Sequence, residues 1–147
     1  MRVKAFLIFL VICSFWSFVF QPTPASKQTP ASSGEDQYNN YCKSCHGKTG
    51  KGFFKIYPPL SDKKFLNNDS LMVAIITQGL KGPIEVSGKT YDREMPAVEG
   101  ISNAEIASVV NYIRKEFINS SQKLSAQKVK ALREKVGSWK AHFSFLA

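Results

Sequence analysis

Cys42-Lys43-Ser44-Cys45-His46 puts two thiols three positions apart and an imidazole directly behind the second. On one helical turn the two thiols face the same way, so each can reach a vinyl group of one porphyrin and form a thioether, while His46 is delivered under the metal. C-x-x-C-H is the pattern of haem joined covalently to protein. Three other uses of these residues stand beside it. A thioredoxin-like C-x-x-C wants a strand before it and a helix after it, whereas here a helical start precedes and a glycine-rich stretch follows. A zinc site would have to recruit the distant His142, while structural zinc gathers two spaced pairs. A disulfide would have little to constrain across so short a loop.

Upstream of the motif, Gly34, Glu35, Asp36, Tyr38 and Tyr41 predict a short helix with acidic residues in its first turn. Downstream, Gly47, Gly50, Gly52, Pro58 and Pro59 make 47–61 mostly loop. Asn68 or Asp69 then caps a helix whose apolar residues Leu71, Met72, Ile75 and Ile76 share a face, and Gly79 stops it. From Lys81 to Gly100 the chain has little periodicity and is expected to wander. Ser102 and Glu105 form a capping box ahead of Ile106, Val109, Val110, Ile113 and Phe117 at the 3.6-residue period, the strongest helix signal in the chain. A weaker helix follows Ser125, with Val129, Leu132 and Val136 at helical spacing and Trp139, Phe143 and Phe145 free to pack back on it.

The 147 residues, 44% of them apolar, suffice for one compact domain with appendages. Arg2 and Lys4, the apolar run from Ala5 to Phe20 and then Gln-Pro-Thr-Pro-Ala outline an export signal, with cleavage expected after Ala25 or Ala31. The 16 apolar residues fall short of the roughly 20 that cross a bilayer, yet flanking Trp16 and Phe20 suit an uncleaved anchor as the alternative. Lipidation of Cys13 is disfavoured by the bulky Ile12 before it. The organisation expected is a signal peptide or membrane anchor at 1–25, a Pro/Ser/Thr tether at 26–33, a folded domain at 34–120 and a C-terminal helical extension at 121–147. Export fits the motif, because an oxidising compartment would otherwise close the two thiols into a disulfide.

The net charge of +9 admits nucleic acid, anionic lipid or acidic protein as partners. The lysines are spread through the chain, no run of five like charges occurs, and no helix-turn-helix or base-stacking motif is present, which argues against nucleic acid. Outside the leader the methionines are Met72 and Met95. Met72 lies on the apolar face of its helix and reads as core. Met95 lies in irregular chain, in Tyr91-Asp92-Arg93-Glu94-Met95-Pro96, and is the candidate sixth iron ligand.

From Gly34 to Ile118 the sequence resembles monohaem class I cytochromes c, especially the group associated with bacterial dehydrogenases and cbb-type oxidases. The resemblance rests on CKSCHG at 42–47, YPPL at 57–60, GLKGPIEVSGKTYDREMP at 79–96 and ISNAEIASVVNYIRKEF at 101–117. It implies an all-α fold, about three to five helices around one covalently bound haem c. It implies that Gly34 and Tyr38 cross the last helix of the domain near Val109 and Tyr112, with Tyr38 edge-on to Tyr112. By the same resemblance the Pro58 carbonyl accepts the His46 side-chain proton, Leu60 lines the haem pocket, and Met95 ligates iron opposite His46. The loop before Met95 lacks the Trp that holds a propionate in some relatives, leaving Lys89, Tyr91 and Arg93 as candidates.

With both axial positions filled, the resemblance implies an electron carrier rather than an enzyme. It would be exported to the periplasm, soluble or anchored by the N-terminus, and would serve a dehydrogenase or terminal oxidase. Its partners would be redox proteins with acidic docking surfaces, met as a monomer or as a subunit of a respiratory complex. The alternative is a haem sensor or haem enzyme subunit with an open iron site.

Overall fold

The computed structural model describes residues 32–53 and 55–137. The leader with Cys13, most of the tether, and Trp139, His142, Phe143 and Phe145 lie outside the described residues, as does the side chain of Val136.

The fold begins with α1, Gly34–Tyr41. Its free N–H groups are met by a capping box: the Ser33 hydroxyl accepts from the Asp36 N–H at 3.1 Å, and the Asp36 carboxylate accepts from the Ser33 N–H at 2.9 Å. One short turn, α2, Lys43–His46, follows directly, with Cys42 serving as the last cap of α1 and the first of α2. After the glycine-rich loop come α3, Lys63–Leu66, and α4, Asp69–Gln78. Asn68, not Asp69, caps α4, its side chain accepting from the Leu71 N–H at 3.0 Å. Asp69 is thereby released for the buried cluster described below.

The segment expected to wander contains a two-stranded hairpin. Strands β1, Ile84–Val86, and β2, Lys89–Tyr91, pair antiparallel with Ile84 opposite Tyr91 and Val86 opposite Lys89. Ser87 and Gly88 between them both have positive φ, 53° and 72°. Two consecutive residues of that kind match the right-handed twist of the flanking strands.

Helix α5, Asn103–Ile118, opens on the expected capping box, with Glu105 N–H to the Ser102 hydroxyl at 3.2 Å and Ser102 N–H to the Glu105 carboxylate at 2.8 Å. Its face of Ile106, Val109, Val110 and Ile113 is buried, as the 3.6-residue spacing requires. Helix α1 crosses it at Gly34, where an added Cβ would lie 2.5 Å from the Ser108 carbonyl and 2.7 Å from Tyr112 Cβ. Tyr38 is buried at the crossing, but its edge-on partner is Phe117, at 5.1 Å and 66°. Against Tyr112 its ring is tilted at 39° and 5.5 Å, because Phe117 occupies the perpendicular position the resemblance gave to Tyr112.

The last described element is α6, Ala126–Gly137, which packs on α4 and α5. Val129 is fully buried, and the Asn111 side chain clamps the Leu124 backbone from both sides, at 2.9 and 2.8 Å. Arg133 donates to the Ile101 carbonyl at 3.0 Å and to Asn103 at 2.9 Å. The fold is thus mainly helical, with six helices and one small hairpin among the described residues. Four of these helices were expected from the sequence; the two added are the single turns α2 and α3, too short to carry a period, and the hairpin is a further addition.

Candidate functional site

The turn α2 brings both thiols and the imidazole together through its own backbone, the Cys45 and His46 N–H groups both donating to the Cys42 carbonyl, at 3.2 and 2.9 Å. Cys42 and Cys45 are unpaired with each other and partly buried. Burial, reinforced by the neighbouring Cys45, pushes the Cys42 thiol up to about 12. A thiol held that firmly in its protonated form is the opposite of the depressed thiolate of a disulfide-exchange enzyme. Among the described residues, no three His, Cys, Asp or Glu side chains are grouped to hold a metal ion.

His46 is 9% exposed. Its Nδ1 lies 3.0 Å from the Pro58 carbonyl oxygen, which can only accept, so Nδ1 carries the proton and Nε2 presents a lone pair. Burial disfavours a second proton on the ring, with a smaller opposing pull from that carbonyl. The loop is held at both ends: the Gly52 N–H donates to the His46 carbonyl at 2.9 Å, and the Tyr38 hydroxyl donates to the Gly47 carbonyl at 2.6 Å.

Met95 is fixed by a two-way backbone bridge to Leu80, each N–H donating to the other's carbonyl at 2.9 Å. This bridge needs Gly79 beside it. A Cβ there would collide with the Met95 carbonyl, and Gly79 sits at φ 76°, where a side chain is strained.

Cys42, Cys45, His46, Pro58, Leu60 and Met95, from three separate stretches of chain, line one cavity of about 410 Å³. Its other walls are predominantly apolar and include Phe65, Leu66, Ile75 and Val98. Met72 lines it too while also packing in the core, a double role that the helix periodicity does not reveal. The signal lay in the run Met72-Val73-Ala74-Ile75-Ile76, buried throughout: a helix apolar all round needs a neighbour on both sides, here the core and the cavity. Lys89, Tyr91 and Arg93 do not line the cavity. Tyr91 is buried at the hairpin and Arg93 lies 6.0 Å over the Tyr57 ring. The charged lining residues are Asp62 and Glu99.

This donor set fits an iron porphyrin: two thiols and an imidazole with a free lone pair on one turn, a thioether on another segment, and apolar walls between. The family model described as cytochrome C oxidase, cbb3-type, subunit III, matches residues 29–113. Cytochrome c-552 of Thermus thermophilus is 29% identical over 104 residues, covering 64% of this chain and 79% of the relative. A second cytochrome c-552, also of Thermus thermophilus, is 29% identical over 104 residues and is covered over 70% of its length. With these residues around one cavity and a family match spanning it, the chain is a class I cytochrome c, a member of the cbb3-type subunit III family, and its activity is haem-based electron transfer.

Proposed function

We propose that the chain carries one haem c, bound covalently by Cys42 and Cys45 and ligated axially by His46 and Met95, and shuttles single electrons outside the cytoplasmic membrane. When bound, the haem iron takes up and releases one electron. The protein supplies everything else. The Cys42 and Cys45 thiols would hold the haem by adding across its vinyl groups, each thiol proton going to a vinyl carbon so that no oxidant is needed, and attachment would fix ring and His46 together. The Pro58 carbonyl holds the imidazole in the tautomer whose Nε2 keeps its lone pair, the atom that would hold the iron. Leu60 and the walls of α3 and α4 exclude water, which limits reorganisation as charge changes and raises the potential. Were His46 and Met95 both to hold the iron, no position would be left on it for a substrate.

The convergence of six residues from three stretches on one apolar cavity carries this reading. Tyr41, 39% exposed and also on the cavity, marks its mouth. Exposed Lys43 beside it and the overall charge of +9 favour redox partners with acidic docking surfaces, such as a dehydrogenase or terminal oxidase. The apolar run 5–20 supports export, with the leader either removed or kept as an anchor. Among the described residues no helix is long and apolar enough to cross a membrane.

Met95→Ala tests the axial assignment. The variant should keep its haem, lose potential and bind carbon monoxide rapidly when reduced, while the parent does not bind it. A parent that binds carbon monoxide at once would instead indicate the sensor or enzyme with an open iron.

A further inference from the structure

We propose that Gln122 and Lys128, from the chain past α5, are positioning residues for the axial thioether: they grip the corner between α3 and α4 and so hold α4 where it presents Met95 to the iron. The inference rests on the assignment of Met95 as axial ligand. It gives the C-terminal segment, which lies past the family match ending at 113, a part in that ligation.

The corner spans 66–69. A helix of one turn leaves its last carbonyls without partners and is too short to hold itself, so α3 depends on bonds from elsewhere. The Leu66 carbonyl accepts from Arg114 Nε at 2.7 Å, and the Asn67 carbonyl from Gln122 Nε2 at 3.0 Å. The Asp69 carboxylate, in the first turn of α4, is gripped through both oxygens. Arg114 and Gln122 reach Oδ1 at 2.7 and 3.1 Å, and Lys128 reaches Oδ2 at 2.5 Å. The Asp69 side chain is only 9% exposed, so water and salt screen these bonds far less than they would a surface pair. Lys128 is put in reach by its neighbour Val129, which is fully buried.

The corner bears on the site through α4. Phe65 and Leu66 before it and Met72, Ile75 and Ile76 after it line the cavity. At its other end α4 is joined to the Met95 segment: the Ile76 carbonyl accepts from the Val98 N–H at 2.9 Å, and Leu80, just past the Gly79 cap, makes the bridge to Met95. A helix of 10 residues, bonded along its length, moves as a rod, so a shift at Asp69 reaches Ile76 and the chain that carries Met95. Arg114 holds the corner from α5; Gln122 and Lys128 are what the later chain adds. Both are exposed, so replacing them removes bonds without emptying the core.

The test is an imidazole titration of the oxidised holoprotein, read by loss of the far-red absorption band of a thioether–iron bond. Imidazole enters only where Met95 has left, so its apparent affinity scales with the fraction of protein in which that segment stands open. Lys128→Gln and Gln122→Ala should each bind imidazole about tenfold more tightly than the parent, the share of one bond to a charged group. Lys128→Arg keeps a donor and the charge and should titrate like the parent. The proposal is overturned if Lys128→Gln and Gln122→Ala match the parent's affinity, even where denaturant shows them less stable, since the segment would then only stabilise the fold. It is also overturned if Lys128→Arg binds imidazole as tightly as Lys128→Gln. A parent without the band would remove Met95 from the iron and the inference with it, whereas matched affinities leave the axial assignment standing.

Discussion

Arg114 is completely buried on α5, an expensive place for a charge that cannot be neutralised. Its Nη2 meets the Asp69 carboxylate at 2.7 Å and its Nε donates to the Leu66 carbonyl at 2.7 Å. Asp69 also receives Lys128 of α6 at 2.5 Å and the Gln122 side chain at 3.1 Å. Burial alone would raise the Asp69 pKa; the Lys128 and Arg114 partners together outweigh it and hold the carboxyl below its usual range. Removing one member of a buried pair strands the other, so Asp69→Asn should destabilise by about 3 kcal/mol at neutral pH in denaturant melts of the holoprotein. A depressed carboxylate stabilises fully above its unfolded pKa of about 3.9, and that contribution is lost as pH falls below it through the folded value. The parent should therefore lose stability more steeply than Asp69→Asn across the acid range below about pH 4. Parallel acid profiles would remove Asp69 from the account.

At the scale of elements, the contact of α1 with α5 depends on the absence of one side chain. Gly34→Ala places a methyl 2.5 Å from a backbone carbonyl that cannot move aside cheaply, and should cost about 1–3 kcal/mol as the helices separate. An unchanged denaturation midpoint would contradict the close approach. Helices α4 and α5 were legible in the sequence because a capping residue, an apolar period and, for α4, a terminal glycine all agreed, while α1 showed through its acidic first turn with Tyr38 and Tyr41 behind it. The hairpin escaped because its strands are three residues long, too short for an alternation to register, although Ser87-Gly88 between Ile84-Glu85-Val86 and Lys89-Thr90-Tyr91 is a two-residue hairpin signature. The packing of 121–135 was hidden for a different reason. Its ties, Asn111 to Leu124, Asp69 to Lys128 and Ile101 to Arg133, join polar groups far apart in sequence, and no period encodes them. The site was legible where its chemistry is local, from Cys42 to His46; Met95 had to be inferred from irregular chain, and the walls from α3 and α4 emerge only in three dimensions.

For the whole molecule, the cavity sets the terms of stability. Without a cofactor the predominantly apolar walls of this cavity of about 410 Å³ would face water instead of being buried. Small domains are stable by only about 5–15 kcal/mol in total. The chain cannot keep this shape empty: apo-protein should be largely unfolded, with far-UV circular dichroism well below that of the holoprotein. Native helicity without haem would contradict that reasoning. Haem is in this sense a part of the core that the sequence does not encode. The proposed attachment through two thiols has its reason here, since a lost cofactor would mean a lost fold.

The most direct measurement is the mass of the exported protein together with its reduced pyridine spectrum. One haem per chain, with Cys42 and Cys45 both closed to alkylation and a c-type band, is the result expected. A colourless protein in which both thiols alkylate freely would contradict the account at its root.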